Sequence, residues 1–150
     1  MAVLNPDDPL SVFAATIWAD ATIKGATYLN GTTKISKGGT RPKGAENPQL
    51  VLTFSGAVSK ISHCVFGALR LTAFVDANAN GTANTALMGK ILKRAMDLVV
   101  PTTTPDWSRD GVRIFGAHVS QTPQGPFDNP DVEGEFYMTS EVYIPCIALT

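Results

Sequence analysis

Ionic side chains are scarce in this 150-residue chain. Only 17% are charged, against about 25% in an ordinary globular protein. Twelve basic and thirteen acidic residues leave a formal net charge of -1, which argues against the basic footprint of a nucleic-acid-binding domain. Cysteine and histidine are nearly absent: the chain has Cys64, Cys146, His63 and His118. Neither cysteine belongs to a Cys-x-x-Cys pair or to a Cys/His cluster of zinc spacing. Both lie in apolar stretches and predict buried free thiols. Each histidine falls at or within an expected strand, where a structural role outweighs a catalytic one. No apolar run approaches the roughly 18 residues of a membrane span. The first residues lack the basic-then-apolar order of a signal peptide, so a soluble protein made in a cytoplasm is expected. Nucleophile-elbow, dinucleotide-binding and phosphate-loop motifs are all missing.

What is present reads as one globular domain over 1–150. Hydrophobic residues make up 44%, enough at this length for a core without disulfides or metals. Asp7 or Asp8 can cap a helix, Pro9 suits its first turn, and Leu10, Phe13, Ala14, Ile17 and Trp18 recur at helical spacing, predicting a helix over about 9–20. A short strand is expected over 32–36. The Gly- and Pro-rich run 37–48 has no aliphatic residue larger than alanine and predicts an exposed loop. Alternation predicts strands over 50–54, 63–75, 111–119 and 135–147. Leu87, Met88, Ile91, Leu92, Ala95, Leu98 and Val99 mark a second helix over about 82–99. The proline-rich stretch 121–131 reads as turns. Helix, strands, helix, strands is an α+β order: a mainly antiparallel sheet with two helices packed on one face. Phe13, Ile17, Leu52, Phe54, Leu69, Leu71, Leu87, Ile91 and Leu98 are its expected core.

Two patterns hint at chemistry. Asp76, Asn78, Asn80 and Gly81 match the opening of a calcium loop, but its twelfth position is Leu87 where a bidentate carboxylate is needed. A helix cap is the better reading. Asp106 and Asp110 flank Trp107 and Arg109, and Asp128, Asp131, Glu133 and Glu135 precede the last strand. Spacing alone does not separate a hydrolase pair from solvated loops there. The expectation is a protein that is not an enzyme, with no cofactor and no metal.

Charge distribution says more than the total. Residues 21–45 carry Lys24, Lys34, Lys37, Arg41 and Lys43 and no acid. Residues 114–150 carry Asp128, Asp131, Glu133, Glu135 and Glu141 and no lysine or arginine. The two stretches either fold together within one subunit or meet across subunits in a head-to-tail ring.

Four parts in order carry a family resemblance. These are the N-terminal amphipathic helix ending in an Asp, with its following segment (13–23), and the basic loop leading through Asn47-Pro48 into a strand (50–54). A strand then turns into an Ala-rich helix (69–99), and a strand, a loop and an aromatic closing strand follow (113–144). In this the chain resembles the tail terminator, or tail-completion, proteins of long-tailed bacteriophages. The resemblance implies a structural virion protein of the tail and neck, assembled in the host cytoplasm. It would form a homo-oligomeric, hexameric ring that caps the tube of major tail-tube protein and presents a surface to the head-completion or stopper protein. DNA would pass the lumen without specific binding, and no membrane partner is implied. The alternatives are another small phage neck, minor tail or capsid-associated protein, or a small hydrolase. On the ring reading, Lys37, Arg41 and Lys43 are the expected interface cations, facing Asp131, Glu133 or Glu135 of a neighbour or a carboxylate of the tube protein. Trp107 with Arg109 is either a second interface anchor or local packing against the end of the second helix.

Overall fold

The computed structural model describes residues 7–38, 41–58, 65–101, 106–109 and 111–149. Helix α1 spans Asp7–Trp18. Leu10, Phe13, Ala14 and Ile17 share one of its faces, and all four are buried. A 3-10 turn at Thr32–Lys34 takes the place of the first half of the expected strand. Strand β1 is only Ile35–Lys37. Then come β2, Gln49–Val58, and β3, Val65–Asp76. Helix α2 is Thr85–Val99. The remaining strands are β4, Trp107–Arg109, β5, Val112–Phe115, β6, His118–Asp128, and β7, Glu135–Leu149.

Among the described residues the strands make one sheet of order β1-β2-β3-β7-β5-β4, with β6 also paired to β7. Only β1 and β2 run parallel. Because β3 occupies one side of β7, β5 and β6 share its other side, β5 against 146–149 and β6 against 136–143. Residues directly opposite on neighbouring strands share a sheet face. The rows Leu50–Ala73–Met138 and Leu52–Leu71–Ser140 are therefore on one face, and all six residues are buried. Helix α2 lies over β3 and β7 there, with α1 against α2, β1 and β2. This is the α+β arrangement expected from the sequence.

Of the expected core, Phe13, Ile17, Leu52, Leu69, Leu71 and Ile91 are fully enclosed, while Phe54, Leu87 and Leu98 pack half-buried at its margin. Helix α2 is capped by Asn84, whose side chain accepts from the Leu87 N–H at 3.3 Å, so its start lies beyond the calcium-like run. That run closes on itself, with Gly81 N–H donating to Asn78 O at 2.8 Å and Thr82 N–H to Asn80 Oδ1 at 3.2 Å. Where β2 and β3 cross at Gly56 and Gly67, a Cβ on Gly67 would come within 2.1 Å of Ser55 O. Only glycine lets the backbones approach so closely.

The largest departure from expectation is β6. Of the stretch read as turns, residues 121–128 continue an 11-residue strand, and only 129–131 belong to a turn. Pro123 and Pro126 lack an N–H, and an outermost strand tolerates that because its outer side has no ladder to complete. Three register shifts along its pairing with β7 absorb the irregularity. The strand expected over 111–119 is accordingly broken at Gly116, whose φ is 63.

Candidate functional site

The loop expected to be exposed does show Pro42, Lys43, Gly44 and Glu46 to solvent, but Arg41 and Asn47 clamp it to the sheet. The Glu135 side chain is fully buried, and a buried carboxylate needs several partners to persist. Arg41 Nε lies 2.8 Å from Glu135 Oε2, Asn47 Nδ2 donates to the same oxygen at 2.7 Å, and Asn129 Nδ2 donates to Oε1 at 2.6 Å. Asn47 Nδ2 also reaches Asp76 Oδ1 at 2.6 Å. Arg41 spends its remaining donors on the loop itself, bonding Pro42 O at 3.0 Å, Ala45 O and Asn47 Oδ1 at 3.2 Å. The pair foreseen between subunits is therefore satisfied inside one chain. Arg41 and Glu135 hold the loop to the sheet, and the basic and acidic stretches meet within one chain at this point.

The clamp shapes the sheet face away from the helices. Gln49, Val51 and Glu135 lie on that face yet are buried, because the 41–48 loop and the 129–134 turn cover this end. Between loop and turn opens a cleft of about 510 Å3, lined by Arg41, Lys43, Gly44, Phe74, Asn129, Asp131 and Val132. Lys43 and Asp131 thus stand on its opposite walls, both exposed. From Phe74 an aromatic row runs across the open face, with ring centroids 5.5 Å apart to Tyr137 and 5.4 Å from Tyr137 to Phe127. Among the described residues the exposed large hydrophobic ones are Phe66, Val119, Phe127 and Tyr143; Phe66, Phe127 and Tyr143 lie on this open face, whereas Val119, opposite Val142, lies on the other.

The other expected interface residues divide. Trp107 is half-buried and packs locally: its Nε1 donates to Val99 O at 3.1 Å and its ring meets Phe13 edge-on at 6.0 Å. Arg109 is half-buried at the end of β4. Asp106 is occupied in accepting from Gly116 N–H at 3.1 Å. Lys37 is exposed and donates to Ser11 Oγ at 2.8 Å. Glu133 is exposed in the turn before β7. Asp110, His63 and Cys64 lie outside the described residues. Cys146 is disulfide-bonded, which corrects the expectation of a free thiol there. His118 is exposed, with Nδ1 3.0 Å from Gly116 O and its ring edge-on to Tyr143. Among the described residues no group of three His, Cys, Asp or Glu side chains is placed to hold a metal ion.

Sequence reasoning missed two partners of the clamp, Asn47 and Asn129, because an asparagine in a Pro/Gly loop carries the same signal whether it turns inward or outward. It also missed the pair joining the end of α1 to α2. Arg94 meets Asp20 through two bonds, Nη2 to Oδ1 at 2.6 Å and Nε to Oδ2 at 2.9 Å. The Arg94 hydrogen bonds hold the Asp20 carboxyl below the usual 3.8, against the opposing effect of burial. Ile23 N–H donates to Asp20 Oδ2 at 2.9 Å, and that three-residue spacing was the available hint.

A two-layer molecule, with helices on one face of a mainly antiparallel sheet and the other face partly open, defines the fold class. No protein-family model matches the sequence, and no curated protein matches it. Among solved structures, a chain from the virion of the native gene transfer agent particle is similar in fold. The superposition has a TM-score of 0.61 at 13% identity, covering 93% of this chain and 94% of that chain.

Proposed function

We propose that the protein is a structural, non-catalytic component of a phage-like particle, and within that class a tail terminator. It assembles as a hexameric ring on the last ring of the tail tube, ends tube growth, and offers its far side to the head-completion proteins. DNA crosses the lumen without specific contacts, in keeping with the net charge of -1. The observation that carries the reading is the fold likeness to a chain of a gene transfer agent virion over nearly the full length of both chains. The exposed aromatic residues of the open face add surface suited to assembly.

Mass photometry and negative-stain microscopy of the purified chain, alone and mixed with tail tubes of the particle that encodes it, test the proposal. A six-subunit ring, free or seated at tube ends, is the expected result. A chain that stays monomeric and ignores tube ends would overturn it.

A further inference from the structure

We propose that copies of this chain join edge to edge, the basic β1 edge of one meeting the acidic β6 edge of a second copy. The inference rests on the ring reading above and names the lateral contact within it. A closed head-to-tail ring requires two different, complementary patches on opposite sides of the subunit. Where β1 pairs with Leu50, Val51 and Leu52, the local strand order is β1-β2-β3-β7-β6. Three strands therefore separate the two edges, roughly 19 Å at ordinary strand spacing.

The charges at the two edges are opposite in sign. At the β1 edge Lys34 donates to the backbone oxygen of Glu46 at 3.1 Å and Lys37 to Ser11 Oγ. Both partners are neutral, so both positive charges persist. At the other edge Asp128 ends β6, and Asp131 and Glu133 stand in the turn to β7, all exposed. The ion pairs among the described residues are Arg41–Glu135, Arg70–Glu141, Lys93–Asp97 and Arg94–Asp20, and none uses these five side chains. With Arg41 and Glu135 locked together inside the subunit, Lys34 and Lys37 remain at the β1 side and Asp128 and Glu133 at the β6 side, while Lys43 and Asp131 line the same cleft and Glu141 pairs with Arg70. Pro123, Pro126 and the register shifts of β6 interrupt any continuous main-chain ladder. The contact is accordingly led by charge and side chains, and it weakens with salt.

Sedimentation velocity of the full chain tests the inference with two reversed variants. One carries Lys34→Glu and Lys37→Glu; the other carries Asp128→Lys, Asp131→Lys and Glu133→Lys. Wild type should assemble at about 50 mM salt and about tenfold more weakly at about 500 mM. Each variant alone should lose about tenfold or more in apparent association. An equimolar mixture of the two should regain wild-type assembly to within about twofold, since each basic edge then finds an acidic one. A single chain bearing all five reversals should also assemble, with a thermal melt confirming that it is folded. Wild-type assembly by either variant at low salt would overturn the inference and leave these charges the simpler duty of keeping exposed edges from aggregating. Failure of the mixture to recover overturns it too, while leaving the ring reading intact. A wild-type chain that assembles neither alone nor on tubes removes both.

Discussion

On β7, Met138, Val142 and Ile144 are sealed beneath the helices, while Tyr137, Thr139 and Tyr143, at the alternate positions, remain half-buried or exposed on the other face. The two sets differ by one residue of phase, because successive side chains of a strand point to opposite faces. Glu135 breaks the pattern. It belongs by parity to the open face, yet it is fully buried, since the 41–48 loop supplies a local third layer. A face is thus closed by whatever packs on it, and a polar loop can close one if its own polar groups are satisfied.

That contrast can be broken by mutation. Under the helices, Leu71→Ala or Ile91→Ala should destabilise the fold by about 2–5 kcal/mol through lost burial and a residual cavity, measured by urea unfolding. A change below about 1 kcal/mol would mean that the covered face is assigned to the wrong residues. At the clamp, Glu135→Ala should cost about 2–3 kcal/mol by leaving Arg41 and two asparagines without their shared acceptor. Hydrogen exchange should then rise over residues 41–48. Unchanged protection there would show that the loop is held by something else.

Smaller effects sharpen the comparison. Asp20→Asn should lower stability at neutral pH by about 1 kcal/mol or less, as Arg94 is partly exposed and solvent-screened. The sign with pH follows from a folded-state pKa held below the ordinary 3.8. The carboxylate's contribution is complete above the unfolded value and is lost as pH falls through the folded one. Acid melts of wild type should therefore fall more steeply than those of Asp20→Asn, and parallel melts would refute the pair's role. Last, Phe127→Ser on the open face should change subunit stability by about 0.5 kcal/mol or less. A loss as large as that of Leu71→Ala would show this face to be part of the core.

Much of the architecture is legible in the sequence because period and burial are local signals. The apolar stripe of α2 and the alternation of β2, β3 and β7 each announce their face within a dozen residues. Trp107 and Arg41 were less legible. A tryptophan beside charged residues suits an interface, and an arginine between glycine and proline suits a surface loop. Yet each turns inward because a distant group, Val99 O or Glu135, is there to receive it. The prolines of 121–131 misled for a related reason: proline opposes an interior strand strongly and an edge strand weakly, and which strand is an edge is a property of the whole sheet.

By itself, then, the sequence determined the class of the fold, the faces of its helices and strands, and the existence of two oppositely charged stretches. Side-chain period and composition act over a few residues and need no knowledge of neighbours. Only the tertiary structure decided which of those charges are consumed within the subunit and which remain at the edges of the sheet. Pairing depends on strand order and on loops crossing between strands far apart in the chain, and both are set by long-range packing.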